Sequence, residues 1–164
     1  MSSSAMQTSE AITQLMLETF RLNGALLAAG DELVADLGLT SARWQVLGAV
    51  MLEGRAQTVA QIARRMGLSR QAVQRVVNDL SAEDIVRPAD NPDHKRAPLI
   101  EATARGEATY ATAMERQDAW AVELAQSFKA SEMQTALSVM RRMAGLCGAA
   151  PRPGLPAIEA GARS

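Results

Sequence analysis

Residues 69–80 read Ser-Arg-Gln-Ala-Val-Gln-Arg-Val-Val-Asn-Asp-Leu. At helical period Ala72, Val73, Val76, Val77 and Leu80 recur at i, i+1, i+4, i+5 and i+8, which is one apolar stripe. The opposite face carries Gln71, Gln74, Arg75 and Asn78, with Arg70 beside them in the first turn. That face holds no acid; Asp79 lies off its edge. Amide and guanidinium groups carry paired donors and acceptors that match base edges. Arg suits the O6/N7 pair of guanine, and Gln or Asn the N6/N7 pair of adenine. Ser69 is placed as an N-cap, and a helix N-terminus aimed at a phosphate adds a favourable dipole. Taken alone, the pattern also fits an ordinary amphipathic helix with a solvated face, because Gln and Arg are good surface helix formers. The flanks decide between the two.

Upstream, Thr58 and Gln61 have the spacing of a capping box, so a helix starts there. Val59, Ile62, Ala63 and Met66 form its apolar side, and Gly67 stands where a left-handed C-cap is wanted. Two short helices joined by a tight Gly-containing turn form a helix-turn-helix, with the second helix as the reading element. Downstream, Ile85-Val86-Arg87-Pro88 reads as a strand and Arg96-to-Glu101 as its return, with Pro98 suggesting an edge position. The loop between them, Ala89 to Lys95, has turn chemistry. A helix-turn-helix followed by a hairpin is a winged helix. Its wing offers Lys95 and Arg96 to a minor groove or a phosphate.

The run from Thr58 to Glu101 resembles the DNA-binding lobe of the multiple-antibiotic-resistance regulator (MarR) family. Residues 40–50, TSARWQVLGAV, resemble the helix that the family places ahead of that lobe. The resemblance extends more weakly over residues 10–147. One departure stands in the wing, where the family often has Asp-(Lys/Arg)-Arg. Here that first position is His94, and Asp93 comes one residue early.

Composition fits one domain with its own core. The chain has 164 residues, 48% hydrophobic but only 3% aromatic, so Leu, Ala, Val and nine Met fill the interior. No apolar run approaches the length of a membrane span, and Met1-Ser2-Ser3-Ser4 carries no secretory signal. A single cysteine, Cys147, excludes an internal disulfide and fits a reducing cytoplasm. Net charge is −1, yet residues 55–105 hold nine basic and six acidic side chains, a local +3. The remainder holds eight and twelve, or −4. The basic excess therefore falls on the proposed DNA lobe. It is small enough that shape and base contacts must matter beside phosphate attraction.

The expected fold is mainly α: a winged helix-turn-helix lobe with a short β-hairpin wing, plus long terminal dimerisation helices. Residues 1–9 are Ser-rich and expected to be disordered. Residues 10–148 form one domain, with the DNA-binding lobe at about 40–102 and the dimerisation helices at about 10–36 and 104–147. Gly24 and Gly30 in the first of these mark a bend or a close approach. Thr40 caps the helix ahead of the lobe. Ser131 with Gln134 has capping-box spacing for the last helix, and the Pro-rich tail 149–164 reads as disordered. A winged helix needs only about three helices, so the terminal surplus asks for another use. Self-association is the economical one. A two-fold dimer would present the reading helix twice, about 34 Å apart, to a pseudo-palindromic operator. The resemblance implies the same homodimer, built from the first and last helices.

Site expectations follow. Ser69, Arg70, Gln71, Gln74, Arg75 and Asn78 face duplex DNA from the reading helix, and Lys95 and Arg96 from the wing. The resemblance implies an effector pocket between dimer helices and DNA lobe that takes aromatic or phenolic anions; Arg43, Trp44 and Tyr110 are its candidates here. His94, the lone histidine, has no ligand or base partner at useful spacing, so neither a metal site nor a catalytic one is expected, and no cofactor. Cys147 is read as a buried packing thiol, with a redox-released regulator as the alternative. The overall reading is a cytoplasmic transcriptional regulator, a repressor released by a small molecule. A protein-interaction winged helix without DNA binding is the other alternative. An enzyme lacks any nucleophile–base constellation.

Overall fold

The structure is a computed structural model and describes residues 3–52, 54 and 56–147. The chain divides into two compact units, residues 1–41 and 42–164.

The first unit is built on helix α1, Ser3–Val34. It starts well before residue 10, so residues 3–9 are helical and not disordered as expected. Ala5, Met6, Gln7 and Glu10 are good helix formers. The hydroxyls of Thr8 and Thr13 donate back to the carbonyls of Ser4 and Ser9. Gly24 neither breaks the helix nor admits a close neighbour: a Cβ there would meet no atom within 4 Å among the described residues. The helix ends in a 3₁₀ turn, Ala35–Leu37, closed by Gly38 at φ 71°, the left-handed geometry that favours glycine. Ser41 is tied back to α1: its N–H donates to Asp31 Oδ1 (2.5 Å) and its hydroxyl to the Leu27 carbonyl (2.7 Å).

In the second unit, helix α2 (Ser41–Met51) contributes Val46, Leu47 and Val50 to the core. Strand β1 (Gln57–Thr58) follows, then α3 (Val59–Met66) and α4 (Arg70–Ala82). The capping box is present: Gln61 N–H donates to Thr58 Oγ1 at 3.3 Å, and Thr58 N–H to Gln61 Oε1 at 2.7 Å. Gly67 closes α3 at φ 62°, with Leu68 N–H on the Ala63 carbonyl. Ile62 and Ala63 of α3, and Val73, Val77 and Leu80 of α4, are buried with Ile85 and Val86 beyond them.

The wing is a three-stranded antiparallel sheet, β1-β3-β2, with β2 at Val86–Ala89 and β3 at Leu99–Ala102. This corrects the expectation in two ways. Strand β1 had no sequence signal, since two residues cannot show a period. Its register, Gln57 opposite Ile100 and Thr58 opposite Leu99, makes β3 the central strand. Pro98 therefore precedes a central strand and does not mark an edge. The proline within a strand is Pro88, on the edge strand β2 opposite Ile100, where a missing N–H is tolerated. Gln57 is buried but satisfied, its Nε2 donating to the Ala49 carbonyl at 2.9 Å.

Helix α5 runs Ala104–Ala125 and α6 Ala130–Leu146. The start of α6 differs from the Ser131–Gln134 reading. Glu132 supplies the cap by accepting the Lys129 N–H at 2.8 Å, since a carboxylate is a stronger acceptor than an amide. Cys147, at the C-terminal end of α6, is exposed, which corrects the buried-thiol expectation. The tail 149–164 lies outside the described residues.

Candidate nucleic-acid interface

Helix α4 divides by face as its period dictates. Val73 and Leu80 have no exposed surface, while Arg70, Gln71, Gln74, Arg75 and Asn78 are all exposed. Ser69 caps the helix, its Oγ accepting the Ala72 N–H at 3.2 Å. Gln74 Nε2 donates to Asn78 Oδ1 at 2.9 Å, so these two amides are already oriented relative to each other. Among the described residues, neither Arg70 nor Arg75 enters an ion pair. The helix thus presents two uncommitted guanidinium groups and three amides on one side.

The wing carries Lys95 and Arg96 at its tip, both exposed. The loop that holds them is ordered by Asn91. Its Oδ1 accepts the Asp93 N–H at 3.1 Å, and its Nδ2 donates to the Ala97 carbonyl at 2.7 Å. Asp93 makes no ion pair among the described residues, so this wing replaces a charged tie with an Asx turn. Asn91-Pro92-Asp93 is the sequence signal for this turn. Lower in the wing Arg87 faces Glu101 across β2 and β3, with Nε 2.7 Å from Oε1.

The three pocket candidates lie in the second unit, and the structure does not join them in a described cavity. Trp44 and Tyr110 are half-buried. The Tyr110 ring lies 3.5 Å from where a Gly48 Cβ would stand, one turn after Trp44 on α2. Burial raises the Tyr110 phenol above its ordinary value of 10.0, so it stays a neutral donor at physiological pH. Arg43 is turned elsewhere, toward α4: its Nη1 is 2.8 Å from Glu83 Oε1 and its Nη2 3.7 Å from Asp79 Oδ2. A groove that the structure does describe, of about 460 Å³, lies between the end of α5 and the start of α6, lined by Leu124, Phe128 and Met133. Among the described residues no cluster of three or more His, Cys, Asp or Glu is placed to hold a metal ion. No described helix is long and apolar enough to cross a membrane.

Two helices joined by a left-handed glycine turn, with a hairpin wing behind them, define the winged helix-turn-helix class. The MarR family profile matches residues 37–97. Uncharacterised proteins of Mycobacterium tuberculosis and Mycobacterium bovis are 38% identical over 135 residues, covering 82% of this chain and 93% of theirs. The chain belongs to the MarR family of winged-helix transcription regulators. Its fold is similar to that of a mutant MarR from E. coli complexed with operator DNA (TM-score 0.73, 21% identity, 81% of this chain and 95% of that one). It is also similar to that of CouR from Rhodococcus jostii RHA1 bound to p-coumaroyl-CoA (TM-score 0.69, 21% identity, 79% and 91%).

Proposed function

We propose that the protein is a homodimeric, sequence-specific DNA-binding repressor. In this reading α4 lies in the major groove, with Arg70, Gln71, Gln74, Arg75 and Asn78 toward bases and phosphates. The wing residues Lys95 and Arg96 grip the flanking backbone. The observation that carries this is the exposed amide and guanidinium face of α4, with its opposite side locked into the core. Selecting bound duplexes from a random pool tests it. The expected product is a pseudo-palindrome with half-sites about one turn apart. Recovery of no preferred sequence would sink the proposal.

Self-association is supported by apolar surface that one chain leaves uncovered. On α1 Phe20 is 74% exposed, in company with Ile12, Met16 and Leu26. On α6 Met133, Leu137 and Met140 are likewise exposed. Contiguous apolar patches of this kind mark interaction sites, and a closed two-fold pairing disposes of them without building fibres. Light scattering should give twice the chain mass. Phe20→Asp should shift it to that of one chain at micromolar concentration, because a buried unpaired carboxylate is costly. A Phe20→Asp variant that remains fully dimeric would remove α1 from the interface.

The wing has its own signature. Arg96→Ala should weaken binding to every duplex alike and reduce the salt slope by about one phosphate contact. A change in base preference would instead make the wing a reader of sequence.

Release by a small aromatic or phenolic effector is the regulatory form of this proposal, supported by family membership and by the p-coumaroyl-CoA complex of the similar CouR. Trp44 and Tyr110 remain the candidate contacts; Arg43 is engaged with Glu83 and Asp79 instead. The exposure of Cys147 favours a second reading, in which oxidation releases the DNA. Operator binding unchanged by peroxide, and unchanged in Cys147→Ser, would remove that second reading.

A further inference from the structure

The polar side of α4 is not free of acid along its whole length. Gln71, Arg75, Asp79 and Glu83 are spaced by four residues and so form one row along the helix, continued through its C-cap. Asp79 stands one turn from Arg75, the spacing at which opposite charges on a helix pair. An Arg75–Asp79 pair would occupy the guanidinium that the proposed function assigns to DNA. It would also leave carboxylates beside phosphates. Yet Arg75 has no ion-pair partner among the described residues. The acids are turned the other way, to Arg43 on α2: Glu83 at 2.8 Å and Asp79 at 3.7 Å. Arg43 is the least exposed of the three, at 26% against 55% for Asp79 and 38% for Glu83. It is therefore the anchored member, and the acids come to it.

We infer that Arg43 is a positioning residue for DNA recognition: it draws Asp79 and Glu83 toward α2 and so leaves Arg75 free to contact DNA. The inference rests on the reading of α4 as the DNA-contacting helix. It adds a residue on another helix that sets the charge of that contact surface without touching DNA. The two ion pairs also tie the C-terminal half of α4 to α2 over 36 and 40 residues of sequence. Half-exposed pairs of this sort contribute little to global stability. Their effect belongs to binding, where like charges at an interface are heavily disfavoured.

The test is a set of variants of the full chain titrated against the selected operator at fixed salt. Arg43→Ala should weaken operator binding roughly three- to tenfold. Adding Asp79→Asn should restore most of the loss, since the harm comes from the released carboxylate. Arg43→Lys should keep most of the affinity. In an Arg75→Ala background, Arg43→Ala should cost much less than it does in the parent. A loss that Asp79→Asn does not relieve, or that is the same with and without Arg75, would overturn the inference and reduce Arg43 to a structural tie. If Arg43→Ala does not fold, Arg43→Gln makes the same comparisons with only the charge removed. No effect of Arg75→Ala in the parent would overturn this inference, and no effect of Gln74→Ala as well would remove the reading of α4 itself; both outcomes are distinct from a loss that is merely additive.

Discussion

Gly106→Ala should lower the stability of the protein by about 3 kcal/mol, the upper end of overpacking costs. Gly106 lies in the first turn of α5, and a Cβ there would stand 2.0 Å from the Ile85 carbonyl oxygen and 3.0 Å from its carbon. No side-chain rotation relieves this, because the obstacle is backbone. Nor can that carbonyl move freely. It accepts the Thr103 N–H at 3.0 Å and the Thr103 hydroxyl at 3.2 Å, while the same hydroxyl lies 2.6 Å from the Asp84 carbonyl and caps α5 at the Gly106 N–H. Asp84 itself sits at φ 56°, so the chain between α4 and β2 is already in an unusual conformation. One methyl must therefore displace either the start of α5 or the start of the wing. At roughly 2–4 °C per kcal/mol for a chain of this size, the melting temperature should fall by about 6–12 °C. Gly24→Ala is the control. It adds the same methyl where no described atom lies within 4 Å and removes a helix-interior glycine worth about 1 kcal/mol. It should hold or raise the melting temperature. If both variants melt alike, close packing at Gly106 is not what fixes the wing to α5.

The contrast between these glycines shows what kind of information a single sequence carries. Gly67 was legible because its role is local: it follows the last apolar position of α3 and closes that helix. Thr58 with Gln61 was legible for the same reason, and so were the two faces of α4, whose apolar stripe is a property of twelve consecutive residues. Gly106 gave no signal, since its neighbour at Ile85 is brought there by the wing. Strand β1 exists only because β3 lies beside it. The central position of β3 followed from that pairing, which is why Pro98 misled. Arg43 looked like a pocket residue because Trp44 stood next to it; its carboxylate partners are a helix-turn-helix away. The start of α1 failed for a different reason. A run of serines outweighed residues 5–10, which favour helix. The candidate interface was legible residue by residue, while the charges that surround it depended on tertiary structure.

The reading face itself makes the sharpest functional prediction. Gln74 and Arg75 are both exposed, on the side of α4 away from Val73 and Val77. Truncating either removes no core contact, so stability should move by less than about 0.5 kcal/mol. Binding should respond very differently. A guanidinium that grips guanine through O6 and N7 contributes about 1–3 kcal/mol of discrimination. Arg75→Ala should therefore cost about that much specific affinity, and relax base preference at one symmetric position in each half-site. Arg75→Lys should not restore it fully, since an ammonium lacks the planar fork. Gln74→Ala should relax preference for adenine at a neighbouring position and free Asn78, whose Oδ1 now accepts from Gln74. A phosphate contact would give another pattern, a loss on every duplex alike with a smaller salt slope. The measurement is a titration of each purified variant against the selected operator and its single-base variants at one salt concentration. Unchanged affinity and unchanged base preference for both alanine variants would show that α4 does not read DNA. The exposed amide and guanidinium face would then have to be assigned to a protein partner, and the winged helix would be an interaction module.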